Sequence, residues 1–102
     1  MISFQWDEGK NKENVRKHGI DFTDARGIFD HPMLVDIDSR KDYGETRYIG
    51  IGLLKNFVVV VVYTERNNDI IRIISSRRAA QHERERFTEH LRNQLGTSEN
   101  DV

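Results

Sequence analysis

Residues 57–63 read Phe-Val-Val-Val-Val-Val-Tyr, five consecutive valines between two aromatic residues. Valine is stiff about χ1 and suits a pleated strand better than a helix. Side chains alternate between the two faces of a strand, so a run that is apolar at every position is a central strand buried on both sides. No other stretch constrains the fold as much. A chain of 102 residues otherwise allows one domain with one modest core.

The neighbouring segments read as partners of that strand. Arg47 to Leu54 alternates, with Ile49, Ile51 and Leu53 on one face and Tyr48, Gly50 and Gly52 on the other. Those glycines suggest close approach by another backbone or by a packed neighbour. Lys55-Asn56 fits a two-residue hairpin turn, and Asn67-Asn68-Asp69 a second turn, after which Ile70 to Ser75 returns antiparallel. Leu34 to Asp38 carries Asp36 and Asp38 on one side and reads as an edge; Arg40 to Glu45 turns around Gly44, and Ile2 to Trp6 is a short alternating strand.

Three helices are expected. Asp7 caps Glu8–His18, and Gly19 fits the left-handed position at its end. Val15 is its only aliphatic residue, so it should lie on the surface, tied down by Trp6 and Ile20. Asp21 caps a second helix whose stripe is Phe22, Ala25, Ile28 and Phe29, ended by Pro32. The last, Ala79 to Leu95, buries Phe87, Leu91 and Leu95 and stops at Gly96, leaving 96–102 a disordered tail. The expected fold is α+β: a compact antiparallel meander of three to four strands in a single domain over 1–95. Two N-terminal helices and one C-terminal helix lie on one face of it, since helices and strands come in blocks.

Composition narrows the chemistry. There is no cysteine, which removes disulfides, thiol catalysis and cysteine-based zinc sites. The longest apolar run is Phe57–Tyr63, far short of the ~20 residues of a membrane helix, and a cytoplasmic protein is expected. His31, His82 and His90 form no ligand pattern, and no metal or cofactor is expected. The charge is uneven. Residues 1–65 hold nine Lys and Arg against eleven Asp and Glu, whereas 66–95 hold seven arginines against four acids. A guanidinium is a flat fork suited to phosphate. It equally suits a solvated helix face laced with Glu–Arg pairs.

The arginines include Arg66 at the end of the valine strand, then Arg72, then Arg77 and Arg78 where the next strand hands over to a helix. With His18 they could form one cationic hollow fit for RNA cleavage. There the 2′-hydroxyl is the nucleophile, and the protein moves protons and holds phosphorane charge. His18, Glu65 or Tyr63 could carry protons, histidine most easily since its type titrates near ~6.5. Each residue also has a plainer reading: His18 as a helix C-terminal cation, Tyr63 as a rim residue, Glu65 and Arg66 as turn charges, Arg77 and Arg78 as partners of nearby carboxylates.

Four stretches together, FQWDEGKNKENVRKHGIDFTDARGIFDHP, RYIGIG, VVVVYTER and IRIISSRRA, resemble the BrnT family of bacterial toxins over about Phe4–Phe87. The resemblance implies a RelE-like fold and a ribonuclease toxin of a type II toxin–antitoxin pair. It implies RNA as substrate and a small ribbon-helix-helix antitoxin, BrnA, whose dimer holds two toxin chains and alone contacts operator DNA. The family pattern highlights Trp6, Asp7, Lys10, Asn14, Lys17, His18, Gly19, Phe22 and Arg47, and later Tyr63–Arg66, Arg72, Ser75, Arg77, Arg78 and Glu83. Ala80 and Phe87 stand where members often have threonine and tyrosine; Ala80 weakens the expected helix cap, and Phe87 has no hydroxyl for catalysis. The expected catalytic set is His18, Glu65, Arg66, Arg77 and Arg78, with Lys17, Tyr63 and Arg72 near the substrate. The other reading is a noncatalytic module that docks an antitoxin-like regulator or contributes to operator DNA binding.

Overall fold

The computed structural model describes residues 2–100, the last five as backbone only. Its elements are β1 (Ser3–Gln5), α1 (Glu8–His18), α2 (Phe22–Ala25), a 3₁₀ turn (Arg26–Asp30), β2 (Leu34–Ile37), β3 (Tyr48–Leu54), β4 (Phe57–Arg66), β5 (Ile70–Arg78) and α3 (Gln81–Asn100). The sheet order is β1-β5-β4-β3-β2. Strands β2 to β5 form the expected meander, and β1 adds a fifth strand, parallel to β5. A parallel pair needs a long crossover; here the whole stretch from α1 to β4 provides it.

The valine run is the middle strand. Val59, Val61 and Tyr63 pack with Phe22, Ala25, Ile28, Ile71 and Ile73, while Val60 packs with Ile51, Ala79 and Phe87 on the other side. The helices are therefore split, α1 and α2 on one face and α3 on the other, not gathered on one face. A strand apolar at every position would otherwise leave one row of valines in water.

Helix α1 docks by hydrogen bonds rather than by a greasy stripe. Val15 is exposed, and the buried positions are Asn11 and Asn14. Asn14 Nδ2 donates to the carbonyls of Ile20 and Ser76, both at 2.8 Å, and its Oδ1 accepts from Ser76 N–H at 3.1 Å. β1 pairs only with Ile70–Arg72. Beyond it, the Asn14 amide does for Ser76 what a neighbouring strand would. Asn11 similarly accepts from Phe22 N–H at 2.8 Å and donates to Asp21 at 3.0 Å. The expected caps form: Asp7 accepts from Lys10 N–H, Asp21 from Thr23 N–H, and Gly19 takes φ 69°.

Both hairpin turns use positive φ, at Lys55 (56°) and at Asn67 and Asn68 (54° and 68°), which matches the twist of the flanking strands. In β5, Tyr63 lies opposite Ile73 but Val62 opposite Ser75, so Ile74 is an extra, bulged residue. α3 starts at Gln81 and runs past Gly96, the expected stop. Glycine in a helix costs only about 1 kcal/mol, too little to end one by itself. Ala80 has no side-chain oxygen, and Glu83 compensates by accepting from Ala80 N–H at 2.7 Å. Of the expected tail, residues 101 and 102 lie outside the described residues. Among the described residues, no helix is long and apolar enough to cross a membrane.

Candidate active site

Gly19 turns the chain sharply after α1 and leaves His18 at the lip of a half-open hollow of about 580 Å³, its mouth included. The β3–β4 hairpin supplies Leu54, Lys55, Phe57 and Val59; the turn between α1 and α2 supplies Ile20, and α2 supplies Asp24; the end of β5 supplies Arg78. Arg78 lies opposite Val59, on the face that Phe57 shares, and its Cζ sits 3.8 Å from the Phe57 ring centroid. Ile20 and Val59 make a buried apolar floor. The rim carries His18, Lys55 and Arg78 against one carboxylate, Asp24. Among the described residues, neither Lys55 nor Arg78 pairs with an acid. Their charge is free for a ligand.

The remaining sequence-derived candidates do not join this hollow. The bulge at Ile74 puts Arg77 opposite Val60, on the α3 face, where both its terminal nitrogens reach Glu83 at 2.8 Å. Arg77 pushes the Glu83 carboxyl down to about 2, and Glu83 raises the guanidinium in turn. Arg72 lies opposite Thr64, also on the α3 face. Arg66 contacts Glu45 at 3.5 Å, and Glu45 lies 3.7 Å from Arg47, whose guanidinium covers the Tyr43 ring at 3.9 Å. Arg40, not singled out from sequence, chelates buried Asp38 with two contacts of 2.8 Å and holds that carboxyl far below its ordinary range. Glu65 faces the α1 side, opposite Ile71, six residues along β4 from Val59. That is roughly 20 Å at strand rise. Tyr63 is buried away from the hollow. It is 4% exposed, edge-on to Phe29 and stacked on Tyr48, and burial pushes its hydroxyl up to about 12. Lys17, one residue before His18, is exposed and lies 3.6 Å from Glu13.

Of the eight candidates, then, His18 and Arg78 share an open site, with Lys17 nearby. Lys55 and Phe57 also belong to it, although the sequence marks them only as a turn and a strand start. Counting back along β4 from the Asn67-Asn68 turn would have set Phe57 beside the end of β5, had the bulge been known. Among the described residues, no three His, Cys, Asp or Glu side chains gather as metal ligands would.

A family model described as the ribonuclease toxin, BrnT, of type II toxin–antitoxin systems matches residues 6–83. The chain belongs to the BrnT family. Its members are ribonuclease toxins, so an RNA substrate and an antitoxin partner come with membership. The crystal structure of the Brucella abortus ribonuclease toxin, BrnT, is similar: 25% identity and a TM-score of 0.60, covering 79% of this chain and 100% of that one. No curated protein sequence matches significantly. The BrnT match runs from Trp6, the ring packed edge-on against Phe22, to Glu83, the carboxylate that holds Arg77. It spans the whole hollow and leaves out α3 beyond its first turn.

Proposed function

We propose that this BrnT protein is a metal-independent endoribonuclease whose cleavage site is the hollow between α1 and the β3–β4 hairpin. The observation that carries the reading is the meeting of His18 with an uncompensated guanidinium, Arg78, in one open site. His18 takes the proton of the RNA 2′-hydroxyl; that oxygen bonds to phosphorus, the bond to the 5′-oxygen breaks, and the departing oxygen takes a proton from solvent at the open mouth. The products are a 2′,3′-cyclic phosphate and a 5′-hydroxyl end. Arg78 and Lys55 hold the charge that builds on the pentavalent phosphorus, where preorganised cations contribute most. Lys17 contacts the flanking backbone.

Purified protein incubated with a defined RNA in EDTA should leave cyclic phosphate ends. His18→Gln should slow cleavage about 10²–10⁴-fold, and Arg78→Ala by about 10²–10³-fold. Glu65→Ala and Arg66→Ala, remote from the hollow, should change it by less than about tenfold. Intact RNA at high protein concentration would sink the reading and favour the noncatalytic module.

The partner in this reading is a BrnA-like ribbon-helix-helix antitoxin in a 2:2 assembly that touches operator DNA only through the antitoxin. It neutralises by filling the hollow with acidic or aromatic side chains, since an unpaired buried cation is costly. Hydrogen exchange on the co-purified complex should slow at 54–57 and at Arg78; protection confined to the α3 face would contradict this.

A further inference from the structure

We propose that Phe57 and Arg78 form a stacking seat for one unpaired nucleobase, which makes this protein selective for single-stranded RNA. The proposal deepens the cleavage reading of the same hollow and takes its substrate from it.

Phe57 stands apart from the other aromatic residues on its face of the sheet. Phe4 packs on Phe29, Trp6 on Phe22, and Tyr63 on both Phe29 and Tyr48. Phe57 is in none of these ring pairs and remains 44% exposed. Its partner is instead the Arg78 guanidinium, 3.8 Å from the ring centroid. A guanidinium laid on a ring is a plane, and proteins that read single-stranded RNA stack splayed bases on aromatic rings and on guanidinium planes. The seat has an apolar floor, Ile20 and Val59, and a rim of His18 and Lys55. A base that left its neighbours to enter would thus bury its face on the platform. The phosphate beside it would meet the two free cations. A base held in a duplex cannot reach that depth without unpairing.

The proposal is tested with the full chain and a 2′-O-methyl RNA strand, which cannot be cleaved, carrying one 2-aminopurine. Binding to wild type should quench its fluorescence. Phe57→Leu keeps apolar volume but loses the ring; it should abolish the quenching and weaken binding about 5- to 150-fold, whereas Phe57→Trp should retain both. The same strand annealed to its complement should bind at least about tenfold more weakly. Unchanged quenching in Phe57→Leu with its circular dichroism intact, or equal affinity for the duplex, would overturn the proposal. Cleavage plays no part in this readout. Quenching without RNA cleavage in the companion assay removes the ribonuclease reading alone; cleavage without quenching removes the seat alone.

Discussion

Two polar residues show how much a single side chain settles here. Asn14 makes three buried bonds: its amide nitrogen donates to the Ser76 and Ile20 carbonyls and its oxygen accepts from Ser76 N–H, so two of them hold α1 to β5 and the third fixes the turn after α1. Leucine at that site would add apolar area yet strand the Ser76 N–H and two carbonyls. A buried unsatisfied group costs about 1–3 kcal/mol, so Asn14→Leu should lower the urea unfolding midpoint markedly. Because α1 carries His18, cleavage should fall with it. Glu83 is the second. Its carboxyl is held at about 2, against an ordinary 4.5, first by the Arg77 hydrogen bonds and also by Ala80 N–H. A depressed folded value means that its contribution to stability is complete above 4.5 and is lost as pH falls toward 2. Wild type should therefore lose stability through that window, and Glu83→Gln should lose less, as thermal melts across pH would show.

At the scale of elements, the closest approach to any described glycine is between β3 and the 3₁₀ turn. A Cβ on Gly52 would stand 2.8 Å from Ile28 Cγ1 and 3.2 Å from Met33 Cγ. Gly52→Ala should then destabilise by about 1–3 kcal/mol through overpacking, despite alanine's better strand behaviour. Ile28→Val, which removes the terminal methyl 3.2 Å from that Cβ, should return part of the loss in a double-mutant cycle. The sequence pattern announced this contact, because glycines alternating with isoleucines in a strand imply a close neighbour. It could not announce how α1 docks. A helix whose only aliphatic residue is exposed gives no stripe to read, and its buried asparagines, poor helix formers, have no apolar periodicity to report them.

Across the whole molecule, cations are spread over both faces of the sheet but differ in their state. Among the described residues, Arg47, Arg66 and Arg77 on the α3 face and Arg40 in the loop after β2 each have a carboxylate within 4 Å, while Arg72 on that face does not; in the hollow, neither do Lys55 and Arg78. If RNA uses those two and Lys17, its affinity should fall with salt at a log–log slope of about −2.1 for a single strand. A slope of about −3.5 or steeper would bring the arginines of the α3 face into the interface.

Composition and periodicity alone determined the α+β class, the central strand, the caps, the turns and the meander, because each follows from local geometry or from burial on two sides. The motifs pointed to the BrnT family. What they left open was which arginine faces the histidine. With a strict period of two, Arg72 and Arg78 would share one face and Arg77 would take the other. The extra residue at Ile74 reverses that, sending Arg77 to Glu83 and Arg78 to His18 and Phe57. A bulge is a property of two strands fitted against each other, so only the assembled sheet could decide it.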